Sequence, residues 1–339
     1  MTEKQYGGAT GRKASSILKS NQPNQDLALK KSPNELEILS ENLTEEKIKN
    51  YKKAGEIAKQ VKEYAKQIAK PKTPLLELAE KVEAKIHELG GVPAFPVNLS
   101  INEIAAHYTP SHDDKTLASG LLKIDLGVHV NGCIADTAIS FDLEDSEENK
   151  KLINASEKAL NIAIDHVKNS KENSKLNEIG SKIKIQIESL GFYPIINLSG
   201  HSLDDYQIHA GLTIPNCDNN NSQELKEGAF AIEPFATTGL GQVYEGKPSG
   251  IYNLQKFSNT RDTFTRKVIQ FINENYKTLP FASRWLVKEF GSRALTSLAL
   301  LKQQGLLHEY PQLVEKSHKK VSQAENSFII YNGKVEVLT

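Results

Sequence analysis

The chain has 339 residues, with 42 Lys plus Arg balanced by 42 Asp plus Glu. A neutral chain carries no general electrostatic drive toward nucleic acid or anionic membranes, and no apolar run approaches the ~20 residues of a membrane span. Two cysteines cannot staple a protein of this size and the N-terminus lacks the apolar core of a secretory signal, so the composition points to a soluble, cytoplasmic protein.

Residues 1–43 differ from the rest. Up to Asn34, six basic residues (Lys4, Arg12, Lys13, Lys19, Lys30, Lys31) stand against two acidic ones, Glu3 and Asp26, among Gly, Ser, Asn and Gln. The segment has too little apolar surface to offset the entropy of ordering and reads as a disordered polar arm. A solvated tail is its plainest role; a weakly basic tether to ribosome or RNA is the functional alternative.

Order is expected to begin at Thr44, an N-cap with Glu45 and Glu46 in the first turn. Ile48, Tyr51, Ile57, Val61, Ala65 and Ile68 keep a helical stripe until Pro71. Thr73-Pro74 opens a second helix with Leu75, Leu78, Val82, Ile86 and Leu89 on one face, closed by Gly90-Gly91. The same spacing returns 101 residues later at Leu176, Ile179, Ile183, Ile187 and Leu190, closed by Gly191. Each of these helices is followed by Asn-Leu-Ser, at 98–100 and 197–199, and Leu152 to Val167 stands where Ile48 to Ile68 stands in the first half. Two amphipathic helices can share a spacing by chance, but the matched punctuation favours a duplication. Two such helix-helix-strand halves would leave a cleft between them.

Strand patterns fill the remaining core. Leu122, Ile124, Leu126, Val128 and Val130 alternate with Lys123, Asp125, Gly127 and His129; Asn131-Gly132 signals a hairpin turn, and Cys133 to Phe141 returns. Phe230 to Phe235 reads as another strand, Gln323 to Tyr331 as a late one, and Asn332-Gly333 turns that one into Val335 to Leu338. Between about Gly246 and Ser322 the pattern is helical, with candidates near Asp262 to Tyr276, Phe281 to Phe290 and Arg293 to Gln304, suggesting an inserted subdomain.

The hairpin can be treated geometrically. A two-residue turn pairs Val130 with Cys133, so Gly127 faces Asp136 and Asp125 faces Ala138. Asp125 and Asp136 are then diagonal neighbours on one face, ~7–8 Å apart, free to converge above Gly127. Two such carboxylates need a cation or a shared proton, although the pair alone also fits a solvated strand face. His201 follows Gly200 after the second Asn-Leu-Ser, Glu233 is a carboxylate in an otherwise apolar strand, and Glu325 projects from the late strand. Each by itself suits a paired structural residue. Together, four carboxylates and one imidazole suit two divalent cations such as Mn, Co, Zn or Fe.

A series of motifs stands in order along the chain. It comprises Pro93-Ala94-Phe95-Pro96-Val97-Asn98-Leu99-Ser100, Ala105-Ala106-His107-Tyr108-Thr109-Pro110, Lys123-Ile124-Asp125 and Ile134-Ala135-Asp136-Thr137-Ala138. Asn197-Leu198-Ser199-Gly200-His201, Ala231-Ile232-Glu233-Pro234-Phe235-Ala236-Thr237, Leu279-Pro280-Phe281-Ala282 and Arg284-Trp285-Leu286 complete it. With these, from about Ile48 to Leu338, the chain resembles the type II methionine aminopeptidases of the archaeal kind. The resemblance implies an α+β, pseudo-symmetric pita-bread fold with an inserted helical, winged-helix-like subdomain. Residues 44–245 and 323–339 would form the catalytic domain and 246–322 the insert.

The resemblance also implies two divalent cations (Co, Mn, Zn, Fe or Ni) on Asp125, Asp136, His201, Glu233 and Glu325. Asp136 and Glu325 would bridge, Asp125 would chelate one cation, and His201 and Glu233 would hold the other. Glu233 falls on the family's proton shuttle, His107 and His209 beside the substrate, and Phe95, Ile208, Phe235 and Tyr310 around a methionine pocket. The implied activity is co-translational removal of the N-terminal methionine from nascent proteins with a small second residue. The enzyme would be a cytoplasmic monomer without a membrane role, its arm touching the ribosome. Two rivals are a prolidase or proline aminopeptidase of the same fold, which would turn over Xaa-Pro peptides, and a non-catalytic relative binding ribosome or RNA. Such non-catalytic relatives lose ligands that this chain keeps. Cys133 and Cys217 read as packing or loop thiols, and Trp285 as part of the insert's own core. The family's last ligand usually sits in Gln-Phe-Glu-His-Thr, whereas here it reads Gln323-Ala324-Glu325-Asn326-Ser327. On a strand Glu325 and Ser327 share one face, while Ala324 and Asn326 point away from it.

Overall fold

A computed structural model describes residues 43–170 and 173–339. The predicted arm therefore lies outside the described residues, except Leu43, which packs beside Ile48 against the core. Thr44 accepts a hydrogen bond from Lys47 N at 3.2 Å and opens helix α1, Glu45–Ile68. Helix α2, Leu75–Glu88, ends just before Gly90 at φ 83°, a left-handed turn that a residue without Cβ makes without strain. Ser146 caps helix α3, Glu147–Asn169, as Thr44 caps α1. Helix α4, Leu176–Ser189, has the same 14 residues as α2 and the same glycine exit, Gly191 at φ 82°. A two-residue strand follows each, Val92–Pro93 and Tyr193–Pro194. The expected repeat is thus a repeat of structure.

The hairpin forms in the predicted register, Leu121–Val130 against Cys133–Asp142. Next to Cys133–Asp142 lies Glu325–Tyr331, then Gly228–Ile232, then Ser199–Leu203, so the strands of both halves meet inside one nine-stranded sheet. Leu122, Ile124, Leu126 and Val128 bury against α1 and α2, and α3 and α4 bury against the strands of the second half. Alternation then places Lys123, Asp125 and Gly127 on the sheet face turned away from α1 and α2.

Two expected strands are each cut in two. Gly228–Ile232 ends before Glu233, and beyond Pro234 the chain enters a separate three-stranded sheet as Phe235–Thr237, opposite Val321–Gln323. Glu233 therefore stands at a break rather than within an apolar strand, because Pro234 has no N–H to give the ladder. The late strand divides likewise at Ala324, whose N–H donates to Pro234 O at 3.2 Å, so the two crossings between sheets are tied together.

Helices α5 (Thr263–Asn275), α6 (Ser283–Phe290) and α7 (Arg293–Gln303) share a core of their own, with Trp285 packed at its edge. They ride on a ribbon of Val243–Leu254 paired with Leu307–Glu315, where the sequence predicts only helices. Gly246, Pro248 and Gly250 disguise the first ribbon strand as a loop, and two register shifts around Pro248 absorb them. Both cysteines are free. Among the described residues no helix is long and apolar enough to cross a membrane.

Candidate active site

A cavity of about 330 Å³ gathers all eleven site residues marked in the sequence: Phe95, His107, Asp125, Asp136, His201, Ile208, His209, Glu233, Phe235, Tyr310 and Glu325. Asp125 and Asp136 come from the hairpin, His201 from Ser199–Leu203, and Glu233 and Glu325 from the two crossings between sheets. Candidate ligand atoms of Asp136, His201 and Glu325 lie within 4.8 Å of one another. His201 Nε2 is 3.7 Å from Asp136 Oδ2 and 3.6 Å from Glu233 Oε1. Gln323 Nε2 reaches three carboxylates by long hydrogen bonds, Asp125 Oδ2 and Glu325 Oε2 at 3.4 Å and Glu233 Oε2 at 3.5 Å. The space above Gly127 serves a different purpose from the one expected. A Cβ there would lie 2.3 Å from Phe95 Cε1, so the missing side chain admits the Phe95 ring.

The electrostatics of this cluster are severe. Burial, and then repulsion from Asp125, holds Asp136 well above the usual carboxylate range. Burial followed by neighbouring carboxylates does the same to Glu233 and Glu325. Burial pushes Asp125 up to about 7 against the opposing Gln323 amide, and burial with His209 nearby keeps His201 neutral. Asp125 Oδ1 and Asp136 Oδ1 are buried without a hydrogen-bond partner. Four carboxylates so placed repel one another unless they are protonated or share cations, and their oxygens with one imidazole nitrogen suit divalent first-row metals. The donor set fits the implied cations.

Front and back of the late strand fall as the alternation predicts. On the cavity side, Ser327 Oγ accepts from Asp136 N and donates to Asp136 O, both at 2.9 Å, fixing that residue's backbone. On the helix side, Asn326 stands opposite Thr137, and Lys62 of α1 donates to Thr137 Oγ1 at 2.9 Å and to Asn326 Oδ1 at 3.2 Å. Ala324 is buried in the core beneath the second half.

His107 has φ 63°, unusual for a residue with a side chain, and its Nδ1 lies 3.2 Å from Pro311 O. A carbonyl can only accept, so Nδ1 carries the hydrogen and Nε2 keeps the lone pair. Burial, reinforced by His209, holds His107 at about 4, and desolvation inside the cavity holds His209 at about 4 as well. Both imidazoles are neutral at physiological pH. Phe95, Ile208 and Phe235 are buried and give the cavity its apolar wall, while the Tyr310 ring lies 5.5 Å from that of His107.

Among the residues at the site that the sequence did not mark, Gln323 and Asn98 stand against its carboxylates. Gln323 shares the face of Glu325, and its position two residues before that carboxylate was the available signal. Asn98 stands opposite Asp125 and lines the cavity, whereas its Asn-Leu-Ser motif served only as punctuation of the repeat.

The pattern of metallopeptidase family M24 matches residues 49–273, and the chain belongs to that family. Within it, the chain is 46% identical over 291 residues to the methionine aminopeptidase of Pyrococcus abyssi, covering 84% of this chain and 97% of that protein. Among solved structures, a thermophilic Arx1 is similar with a TM-score of 0.75 at 15% identity, over 87% of this chain and 91% of that one. A methionine aminopeptidase from Thermotoga maritima gives a TM-score of 0.62 at 20% identity, over 87% of this chain and 97% of that one. At such identities these two structures speak for the pita-bread fold alone.

Proposed function

We propose that this protein is a methionine aminopeptidase that removes the N-terminal methionine from peptides and nascent chains with a small second residue. The observation that carries this reading is the convergence of Asp125, Asp136, His201, Glu233 and Glu325 beside an apolar wall, in a chain 46% identical to a methionine aminopeptidase. Asp125, Asp136, His201, Glu233 and Glu325 would together hold the two divalent cations that the family resemblance implies. When bound, such cations (Co, Mn, Zn, Fe or Ni) supply Lewis acidity toward a carbonyl and an acidified water.

The chain's own groups perform the remaining tasks. Glu233 takes the attacking water's proton and returns it to the leaving amine nitrogen. His209 donates a hydrogen bond to the scissile carbonyl oxygen as charge develops there. His107, whose N–H is committed to Pro311, accepts a substrate N–H at Nε2. Phe95, Ile208, Phe235 and Tyr310 enclose the methionine side chain, and the free α-amine pairs with the carboxylates, which restricts cleavage to chain ends. Residues 44–245 with 323–339 act as the catalytic unit and 246–322 as an inserted unit, a division supported by the separate core of α5–α7. The enzyme works as a cytoplasmic monomer, and the six basic residues of the arm support a contact with the ribosome.

The deciding experiment compares Met-Ala-Ser, Met-Lys-Ser and an Xaa-Pro dipeptide, each with and without a chelator, while bound ions are counted on the same protein. Met-Ala-Ser is cleaved, Met-Lys-Ser is spared and the chelator stops turnover. Preferential cleavage of Xaa-Pro would make the protein a prolidase, and metal binding without any turnover would make it a non-catalytic relative.

A further inference from the structure

Arg284 and Trp285 take no part in the reaction outlined above, yet both reach from the insert into the catalytic half. Arg284 is 4% exposed, and its Nη2 pairs with Oε1 of Glu83 on α2. Its Nη1 donates to Thr109 Oγ1 at 2.5 Å and to Pro110 O at 3.1 Å. Trp285 Nε1 donates to Glu83 Oε2 at 2.9 Å, and Glu83 Oε1 also accepts from Val97 N at 3.2 Å. Thr109 Oγ1 closes the network by donating to Val97 O at 2.8 Å. Val97 is two residues beyond Phe95, and Thr109 two residues beyond His107. The network therefore grips, from behind, both segments that present these side chains to the cavity.

The same stretch of the insert holds the opposite wall. Lys277 Nζ lies 3.4 Å from the centre of the Tyr206 ring, and Thr278 Oγ1 donates to Tyr206 O. Tyr206 is two residues before Ile208. Between these anchors Leu279 packs in one cluster with Phe95 and Ile208, and Pro280 lines the cavity. A buried ion pair adds little net stability over apolar side chains of the same size, but it imposes a definite geometry on what it binds.

We infer that residues 277–285 form a strap by which the insert sets the shape of the methionine pocket, with Arg284 and Glu83 as positioning residues for Phe95 and His107. The inference rests on the methionine-pocket reading. The test uses the full, metal-loaded chain and three changes: Thr109→Val, Glu83→Gln, and Glu83→Leu combined with Arg284→Met. The last leaves no charge buried alone, and Thr109→Val keeps both charges and the volume, so a folded variant is available whatever Glu83→Gln does. Calorimetry with free methionine, KM and kcat on Met-Ala-Ser, and metal content are measured on each. KM and the methionine Kd rise at least about fivefold, kcat stays within about threefold, and metal content matches the parent. Altered thermal stability with unchanged KM and methionine Kd would assign the network to stability alone and overturn the strap. A parent chain that does not bind methionine would overturn the pocket reading itself, whereas a binding parent with unchanged variants removes only the strap.

Discussion

Burial pushes Asp125 up to about 7, and burial with repulsion among neighbouring carboxylates holds Asp136, Glu233 and Glu325 well above the usual carboxylate range, so the metal-free cluster still carries protons at neutral pH. Cations bind the ionised forms and must displace those protons. Metal affinity therefore falls as pH drops through about 7, and loading at pH 7 releases protons. Calorimetry in two buffers of different ionisation enthalpy measures that release, and an apparent enthalpy independent of buffer would refute it. His107 supplies a second prediction at this scale. Burial keeps it neutral above about 4, and its lone pair sits on Nε2, so a fumagillin-type epoxide seated in the methionine pocket alkylates that nitrogen. The rate is flat from pH 8 to pH 5 and falls as pH approaches about 4, where protonation removes the nucleophile. Peptide mapping by mass spectrometry locates the adduct, and one mapped elsewhere would remove His107 from the pocket. The charged residues that meet in the cavity were legible because charge among apolar neighbours is conspicuous and the motifs give each a place. Gln323 and Asn98 were not, because a neutral amide beside a carboxylate has no signature until the fold brings several carboxylates to it.

Alternation along single elements was the most readable level of all. The hairpin register from Val130–Cys133 back to Asp125–Ala138 follows from one Asn-Gly turn, and the front and back of the late strand follow from period two. What the elements did not reveal depends on partners distant in sequence. Glu233 and Glu325 mark places where the chain passes between two sheets, a consequence of Phe235 pairing with Gln323. The ribbon under α5–α7 was hidden because bulges tolerate the Gly and Pro residues that punctuate loops elsewhere. The departures at Ala324 and Asn326 belong to this scale. Ala324 is only 4% exposed, so Phe there overpacks a filled core and destabilises the fold by about 1–3 kcal/mol unless the surroundings shift. Asn326→His exchanges the oxygen that accepts from Lys62, again behind the site. The double change Ala324→Phe with Asn326→His lowers the unfolding midpoint and leaves kcat within about threefold, whereas Glu325→Gln on the front face abolishes turnover in a folded protein. Denaturant melts with kinetics at full metal loading decide the matter, and a hundredfold change in kcat for the double variant would refute the front-and-back assignment.

At the scale of the whole molecule, the 101-residue offset survives as matched helices, matched caps and matched glycine exits, because the punctuation that ends a helix is local chemistry. How the two halves join is not local, and only the sheet order reveals that Glu325–Tyr331 lies between them. That arrangement would give bound cations a mechanical role besides a chemical one. Asp125 and Asp136 belong to the first half, His201 and Glu233 to the second, and Glu325 to the strand that joins them, so a cation held among them would cross-link the halves where four carboxylates otherwise repel. A ligand that binds only the folded state stabilises it by about 2.7 kcal/mol at one hundred times its Kd, a rise in Tm of roughly 4 °C for a chain of this length. Calorimetric melting is expected to show at least that rise on metal loading and its loss on chelation. Asp136→Ala, which removes one carboxylate of the candidate metal cluster, is expected to abolish both the rise and nearly all turnover and to retain at most one bound ion. The strap variant Glu83→Leu with Arg284→Met keeps the rise, since it alters the pocket and leaves the ligands in place. If the protein binds metal stoichiometrically and its melting temperature does not move, the halves are already locked without the cations and the cross-link is absent.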